Sequence, residues 1–416
     1  MSQYTKYYLY KKQQRISGSS DAWVDVVPTT YSYNADGTMT PVIVEEQSAD
    51  CGYVPPIEPI YEWRNISITQ DYICDDCPID YSKQYLTFVA TESGTFKFSG
   101  STTANTVQYS VDNGNTWADL ARNTNSPTVS ASGKIMWRAT GLTPLEAIGI
   151  GSFSSSSSFI VEGNPMSLLY GDNFQNQTSL SGKNYAFRGL FRGCTKVASA
   201  ENLSLPATTL AVRCYSQMFY KCTNLTTAPE LPATTLAQEC YAEMFVDCTS
   251  LTKAPELKAT TLAQECYGWM FQGCTSLATA PELKATTLAN GCYGYMFSGC
   301  TALTTPPSVL PATIASRYCY YNMFVNCRNI TKSPDVMLTS SADRACAYMF
   351  YGCSKLSYIK AMFLSEPSES SAYGRWTQGW VGGVASEGIF VKNSAATWNV
   401  RGASGIPTNW TVQLSD

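Results

Sequence analysis

The most regular hydrophobic pattern in the sequence is a Leu-Phe or Met-Phe pair that recurs through the second half of the chain. In every copy a cysteine follows the phenylalanine by three residues, and the central copies are 26 residues apart. The seven phenylalanines are Phe191, Phe219, Phe245, Phe271, Phe297, Phe324 and Phe350. A fixed period of this length is typical of solenoids, in which each repeat contacts only its neighbours. The pattern therefore predicts a solenoid of about seven units over residues 164–360.

Each repeat divides into two pieces with different patterns. In "TTLAQECYAEMF" the spacing of Thr235 and Gln238 matches a capping box, which favours the start of a helix. The apolar residues of this piece recur every four positions, which we interpret as one helix face: Leu236, Cys240, Met244 and Cys248. The second piece, "LTTAPEL", contains Pro229 and favours a brief strand that ends in a turn. We therefore expect one short helix and one short strand per coil of 26–27 residues, as in a leucine-rich-repeat unit.

Thirteen cysteines lie in this array, and most of them form two sets that keep the step of the repeat. Free cysteine packs as a small, buried hydrophobic residue, so we expect these side chains to fill the core. The ten that we assign to the core are Cys214, Cys222, Cys240, Cys248, Cys266, Cys274, Cys292, Cys300, Cys319 and Cys327. An odd number excludes complete internal pairing, and zinc sites favour clustered cysteine pairs or histidine. Some disulfides and a metal or redox site remain as alternatives.

Residues 83–163 show the two-residue alternation of antiparallel strands, for example in "TFKFSG" and "VQYSVD". This region is predicted to be an antiparallel β-sandwich-like domain. Within it, "SVDNGNTW" (110–117) matches the Asp-box pattern S-x-D-x-G-x-T-W, a hairpin that occurs in sialidases and in other β proteins. One copy in about 80 residues is too little for a sialidase propeller, so we interpret the motif as a structural hairpin.

The two ends of the chain differ from the repeats. Residues 1–82 are rich in tyrosine and predict a small β module for attachment or assembly. This module contains Cys51, Cys74 and Cys77, which we interpret as structural; three thiols with a carboxylate as a metal site is the alternative. Residues 361–416, rich in tryptophan and glycine, are predicted to cap the end of the solenoid. The fold class is thus mainly β and multidomain.

The composition excludes several classes of function. The chain has no histidine, which removes Ser-His-Asp catalysis and histidine-ligated metals, and we predict no catalytic residue, no metal and no cofactor. A net charge of −4 without a basic stripe argues against nucleic acid. The sequence contains no run of 18 apolar residues, so we expect no membrane insertion. The opening "MSQYTKYYLYKKQQRIS" is polar and basic, so we expect no export by the general secretory route.

Paired carboxylates are the remaining route to hydrolysis, because they need no histidine. The repeated acids Glu230, Glu256, Glu282 and Asp335 follow the step of the repeat. We therefore expect them to form a spaced row, which does not bring two carboxylates to one bond.

A few positions of the repeat vary, while the residues predicted to form its core stay the same. The residue before each Met changes from Gln217 and Glu243 to Trp269, Tyr295 and Asn322. Together with Tyr321, the residues Trp269 and Tyr295 are predicted to form an aromatic strip. Aromatic rings stack on sugar faces and anchor protein contacts, so the strip is our candidate ligand-binding site. The alternative is that these rings cover the edges of the coils.

The segment "MFVDCTSLTKAPEL" and its copies resemble the BspA-like branch of leucine-rich repeats, whose units carry an AF-x-x-C-x-x-L core. The resemblance covers residues 185–360, with Met-Phe in place of Ala-Phe and an additional cysteine. It implies adhesion and binding of host-surface glycans or proteins, without catalysis.

The opening "KYYLYKKQQRIS" and the order of modules resemble structural proteins of phages and prophages of gut Bacteroidales. This resemblance implies a fibre or appendage subunit of the virion, assembled in the host cytoplasm. Residues 1–82 would dock to other virion proteins, and the solenoid would bind a glycan or protein of the host surface. We expect a homo-oligomer, and trimers are common among fibres. The alternatives are a bacterial cell-surface or secreted adhesin and a carbohydrate-degrading virion enzyme.

Overall fold

A computed structural model describes residues 80–415 except 102–105, 147 and 371–374, and the backbone of five strands within residues 1–79. The chain divides into two compact units, Met1–Ile79 and Asp80–Asp416. The regular secondary structure of the described residues consists mainly of β-strands in several sheets, which confirms the predicted class of a mainly β protein. Among the described residues, no helix has the length and apolar character needed to cross a membrane.

The first unit contains two small sheets. Strands β1 (Tyr10–Ile16), β2 (Val24–Thr29) and β5 (Tyr61–Asn65) form an antiparallel sheet with β1 in the centre. Strands β3 (Tyr31–Tyr33) and β4 (Met39–Pro41) pair with each other. The three predicted structural cysteines, Cys51, Cys74 and Cys77, lie outside the described residues.

The second unit begins with a β domain. Its strands are β6 (Leu86–Ala90), β7 (Phe96–Gly100), β8 (Val107–Ser110), β9 (Ala118–Leu120), β10 (Lys134–Arg138), β11 (Gly151–Ser155) and β12 (Phe159–Glu162). Strands β7 and β11 pair with each other, while the others join a six-stranded sheet in the order β13-β12-β6-β10-β8-β9. Strand β13 (Val197–Ser199) comes from the first repeat. Two 3-10 turns (Tyr81–Lys83 and Gly171–Asn173) and helix α1 (Ser167–Tyr170) complete the domain.

The Asp-box segment forms the hairpin that joins β8 to β9. The Asp112 carboxylate accepts hydrogen bonds from the Ser110 hydroxyl (2.6 Å) and from the Thr116 amide (2.9 Å) and hydroxyl (2.6 Å). These hydrogen bonds lower the pKa of Asp112 to about 2. The Trp117 indole N–H donates to the Gly114 carbonyl oxygen at 3.0 Å and closes the loop. The side chains of Ser110, Asp112, Thr116 and Trp117 are therefore all used to hold the turn.

The helix expected in each repeat is absent, and this prediction was wrong. Residues 185–193, and the equivalent nine residues of each later repeat, form consecutive tight turns, which we call the turn ladder. Every fourth residue has a positive φ, as at Arg213 (54°), Gln217 (58°) and Lys221 (58°). An α-helix cannot contain such residues, because it needs an unbroken run of right-handed dihedrals.

Backbone amides of the turn ladder alternate between two kinds of acceptor. The amides of Ser216 and Met218 donate to the carbonyl three residues earlier in the same repeat. The amides of Tyr215 and Phe219 donate to the next repeat, at Cys240 (3.0 Å) and Met244 (2.9 Å). Because every second amide crosses to a neighbour, residues one repeat apart lie directly above one another.

Side chains consequently form continuous columns in the core. The phenylalanines of the seven sequence repeats stack with ring centroids 5.3–5.7 Å apart and interplanar angles of 3–13°. A second column begins at Phe187 and continues through Tyr215, Tyr241, Tyr267, Tyr293 and Tyr320. Aromatic pairs contribute about 0.5–1.5 kcal/mol each beyond the area that they bury.

The other side of each repeat adds a parallel strand or a single bridge. Isolated parallel bridges, such as Thr227 to Lys253 and Thr279 to Thr305, connect the central repeats. Later repeats form a five-stranded parallel sheet from β14 (Val309–Leu310), β15 (Lys332–Val336), β16 (Tyr358–Ala361), β17 (Ile389–Asn393) and β18 (Thr411–Ser415). The turn ladder also continues through residues 375–383, where Trp380 takes the position of the Met and its ring lies 6.0 Å from that of Phe350 at a tilt of 51°. The repeated architecture therefore extends into the segment expected to be a cap.

The β domain and the repeats share one core. Strand β13 of the first repeat pairs in parallel with β12. The first ring of the phenylalanine column, Phe191, lies 5.7 Å from Phe88 and 6.1 Å from Phe153 of the β domain. Residues 80–416 accordingly form one compact unit. The boundaries at 163/164 and 360/361 stay predictions.

Gly299 offers a test of the turn ladder, because its φ is +76° and a Cβ there would meet no atom closer than 3.8 Å. Neighbouring repeats have Asn326 and Gly273 at this position. We expect Gly299→Val to destabilise the chain by about 1–2 kcal/mol more than Gly299→Asn, since asparagine tolerates positive φ and a β-branched residue does not. Urea unfolding followed by tryptophan fluorescence measures the difference. Equal midpoints for the two variants would contradict the left-handed conformation.

Candidate functional site

The three predicted strip residues lie together on the surface of the turn ladder. The rings of Trp269 and Tyr295 stack at 5.3 Å with an interplanar angle of 12°. Tyr321 meets Tyr295 edge to face at 5.3 Å and 78°. All three side chains are half-buried. They present aromatic surface to solvent while their neighbours hold the rings in place.

The turn ladder fixes the position of these rings. Trp269 and Tyr295 both have a φ of 57° and occupy the middle left-handed position of their repeats. Their amides donate to the next repeat, Trp269 to the Gly294 carbonyl and Tyr295 to the Tyr321 carbonyl, each at 2.8 Å. Left-handed backbone costs a non-glycine residue roughly 1–2 kcal/mol. The ladder must therefore stabilise these two residues in a conformation that they do not favour.

Three further tyrosines extend the strip, and sequence reasoning missed them. Tyr318 contacts Tyr321 edge to face at 5.3 Å, and Tyr348 does so at 6.3 Å. Tyr351, which is 49% exposed, lies 6.0 Å from Tyr348. The signal for Tyr348 was present, because it precedes Met349 as Trp269 precedes Met270. We call the six residues Trp269, Tyr295, Tyr318, Tyr321, Tyr348 and Tyr351 the aromatic surface.

Cations and glycines border the aromatic surface. Arg344 donates to the Tyr318 hydroxyl at 2.7 Å, and the Arg317 guanidinium lies 4.9 Å from the Tyr318 ring centroid. Arg317 also forms an ion pair with Asp343 at 3.0 Å. On the other side, the backbone of Gly379 packs on the Tyr348 ring, where a Cβ would come within 2.7 Å of the ring. A larger residue at that position would displace Tyr348.

The same column is polar in the earlier repeats. Gln217 and Glu243 occupy the middle left-handed position before Trp269, and the Gln217 side chain donates to the Glu243 carboxylate at 2.9 Å. The core columns do not change along these repeats, whereas this surface column becomes aromatic at Trp269 and Tyr295 and, after Asn322, again at Tyr348. The aromatic surface is thus confined to the later part of the array.

The acidic row lies on the strand side of the repeats, and three of its four members have a partner. Glu256 pairs with Lys284 at 2.6 Å, and Asp335 pairs with Lys360 at 2.9 Å. Glu282 accepts hydrogen bonds from the Ser308 amide and hydroxyl. Glu230 and Glu256 border a cavity of about 290 Å³ that Lys253 also lines. The Lys284 ammonium lowers the pKa of Glu256, which is opposite to the raised pKa that a general acid needs.

The structure places all ten predicted core cysteines in the interior as free thiols. In one set, each Sγ donates to the phenylalanine carbonyl of the preceding repeat at 3.0–3.1 Å, as Cys248 does to Phe219 and Cys300 to Phe271. Burial raises the pKa of Cys240 and Cys300 to about 12. A thiol that stays protonated is a poor nucleophile and a poor metal ligand.

Cys346 does not continue the column formed by Cys214, Cys240, Cys266, Cys292 and Cys319. The Tyr320 amide donates to the Ala345 carbonyl, so Ala345 follows Cys319 in the stack. Cys346 therefore takes the place of the aromatic residue at Tyr320. The sequence marks this change, because Met349 follows Met323 by 26 residues whereas Cys346 follows Cys319 by 27.

Within the described residues, no group of three or more Cys, Asp or Glu side chains is arranged to hold a metal ion. Comparisons with known proteins add no relative: no family model, curated protein or solved structure matches the chain. The chemistry of the site therefore has to be argued from its own residues.

Burial of the repeat cysteines leads to a prediction about their reactivity. In the native protein at pH 8 we expect iodoacetamide to leave the thirteen cysteines between Cys194 and Cys353 unmodified, because burial raises their pKa values and blocks access. After unfolding in urea all thirteen should react. Peptide mass spectrometry of both samples measures this. Modification of an interior member such as Cys274 in the native protein would contradict the packing described.

Proposed function

We propose that the chain is a non-enzymatic binding protein that contacts a glycan or protein of a host surface through its repeats. The observation that carries this proposal is the aromatic surface, six half-exposed rings held by a hydrogen-bonded ladder. Rigid aromatic side chains bind with little loss of conformational freedom, and they stack on the apolar faces of sugars. No catalytic role is needed for any of these residues.

The finer description of the fold belongs to the same proposal. We regard the stacked repeats as a solenoid related to the BspA-like leucine-rich repeats, with turns in place of a helix on one side. The 26-residue step of the central repeats, the parallel bridges and the stacked core columns support this interpretation. A solenoid supplies an extended surface whose contacts multiply along its length.

The location of the protein is proposed from the sequence resemblance alone. In this proposal the chain is a fibre or appendage subunit of a phage virion, residues 1–82 dock it to other virion proteins, and several copies assemble. Immunogold labelling of purified particles with an antibody against residues 185–360 tests the location. Gold on particle appendages supports it. Unlabelled particles together with labelled bacterial cells would instead indicate a cell-surface adhesin.

The aromatic surface can be tested by substitution of its stacked pair. We expect Trp269→Ala/Tyr295→Ala to weaken attachment of the purified chain to cells of gut Bacteroidales by about tenfold or more, because buried aromatic anchors dominate such interfaces. Flow cytometry with a fluorescently labelled protein measures attachment. Tyr358→Ala, a half-buried tyrosine on the strand side, is the matched control and should bind normally.

Circular dichroism and thermal unfolding establish that the variants are folded. Unchanged attachment by a folded double variant would overturn the assignment of the aromatic surface. Equal loss in Tyr358→Ala would also count against it, because the effect would then not depend on the position of the ring.

A further inference from the structure

A second surface feature lies where the first two repeats meet the β domain, away from the aromatic surface. A cavity of about 260 Å³ opens there. It is lined by Arg122 of the β domain, by Arg188 and Arg192 of the first repeat, and by Gln217 of the second. We call this cavity the arginine pocket.

None of its three arginines has a carboxylate partner within the described residues. Arg122 and Arg192 are exposed, and the Arg192 guanidinium lies 4.9 Å from the Tyr220 ring centroid. Arg188 is half-buried, and its Nε atom is fully buried without a hydrogen-bond partner. Buried polar groups in proteins normally have a partner, so an orphaned guanidinium N–H calls for an explanation.

Nearby charges leave the arginine pocket positive. The neighbouring Arg213 is satisfied by two hydrogen bonds to Glu239, at 2.6 and 2.8 Å. Glu243 is the acid whose charge raises the pKa of Arg188, and its carboxylate already accepts a hydrogen bond from the Gln217 side-chain amide. Burial, together with the charges of Arg213 and Arg192, lowers the pKa of Arg188. A bound anion would relieve this repulsion.

Another part of the pocket lining is small and polar. Strands β7 and β11 contribute Ser99 and Ser152, which are paired in register and both line the cavity. Gly151 lies beside them with a φ of 130°, and a Cβ there would come within 2.5 Å of the Ser99 carbonyl oxygen. The rim includes Ile148, which is 52% exposed. Hydroxyl groups and one apolar side chain beside the guanidinium groups suit a polyhydroxyl ligand that carries an anion.

We propose that the arginine pocket binds the oxyanion group of an acidic sugar: a carboxylate, a sulfate or a phosphate. Guanidinium groups match the geometry of these oxyanions and bind them through paired N–H donors. The volume is slightly below the range usual for drug-sized ligands, so it fits one sugar unit. This site is additional to the aromatic surface and does not depend on it.

Calorimetric titration of the full chain tests the proposal with defined probes. These are methyl glucuronide, glucose 6-sulfate and glucose 6-phosphate, with methyl glucoside as the neutral control and inorganic phosphate as the free anion. We expect at least one acidic sugar to bind about tenfold or more tightly than methyl glucoside, with an affinity that falls as salt rises. The probe that binds identifies the oxyanion.

Variants assign the binding to the pocket. Arg122→Gln/Arg192→Gln changes two exposed side chains and should weaken binding about tenfold or more, whereas Arg328→Gln, an exposed arginine of a later repeat, should have no effect. Arg188→Lys keeps the charge but removes the fork of donors, so an intermediate loss is expected. Trp269→Ala/Tyr295→Ala should leave this binding unchanged, which separates it from the proposed function.

Three results would overturn the proposal. The first is that no acidic sugar binds at millimolar concentration, or that methyl glucoside binds equally well. The second is that the folded Arg122→Gln/Arg192→Gln variant binds as the parent does. The third is that inorganic phosphate binds as tightly as glucose 6-phosphate, which would remove the sugar from the proposal.

Discussion

The rest of the structure depends on one constraint in the turn ladder. Its backbone amides alternate between an acceptor in the same repeat and an acceptor in the next repeat. The bond from the Phe219 amide to the Met244 carbonyl, for example, places the ring of Phe219 on that of Phe245, and so the same side chain recurs in each core column. This alternation also requires a positive φ at every fourth residue, including bulky residues such as Trp269. Stacked rings, buried thiols and the shared core with the β domain together offset this backbone cost. A residue inserted within a turn ladder would exchange the two kinds of amide and break the columns.

The sequence predicts much of this arrangement, but it does not predict the local backbone conformation. The period predicts the stacked phenylalanines, and the constant spacing predicts buried cysteines. The four-residue spacing of Cys240, Met244 and Cys248 was interpreted as a helix, although four residues overshoot a helical turn by about 40°. A strict spacing of four fits the turn ladder instead, since one left-handed residue occurs in each step. The repeat at residues 375–383 was missed because its core residues differ: Trp376 and Trp380 replace the usual Cys and Met, and Thr377 and Val381 replace the usual aromatic residues.

The two candidate sites differ in how many of their residues can be predicted from the sequence. Trp269, Tyr295 and Tyr348 follow from one rule, because each precedes a Met of the repeat. Tyr321 lies where other repeats have small residues such as Gly268 and Gly294, so only the stack shows that it joins the surface. The arginine pocket has no local signal. Its lining residues are far apart in the sequence and meet only because β13 of the first repeat pairs with β12.

The most direct test of the account removes one complete repeat. Deletion of residues 223–248 joins Cys222 to Thr249 and takes out 26 residues, none of which belongs to the aromatic surface or lines the arginine pocket. If the repeats are interchangeable layers of one ladder, this variant should unfold cooperatively and attach to cells as the full chain does. Deletion of residues 223–235, half a period, is the control and should abolish folding. If the complete-repeat deletion unfolds the protein as the half-period deletion does, the ladder is not the basis of the structure.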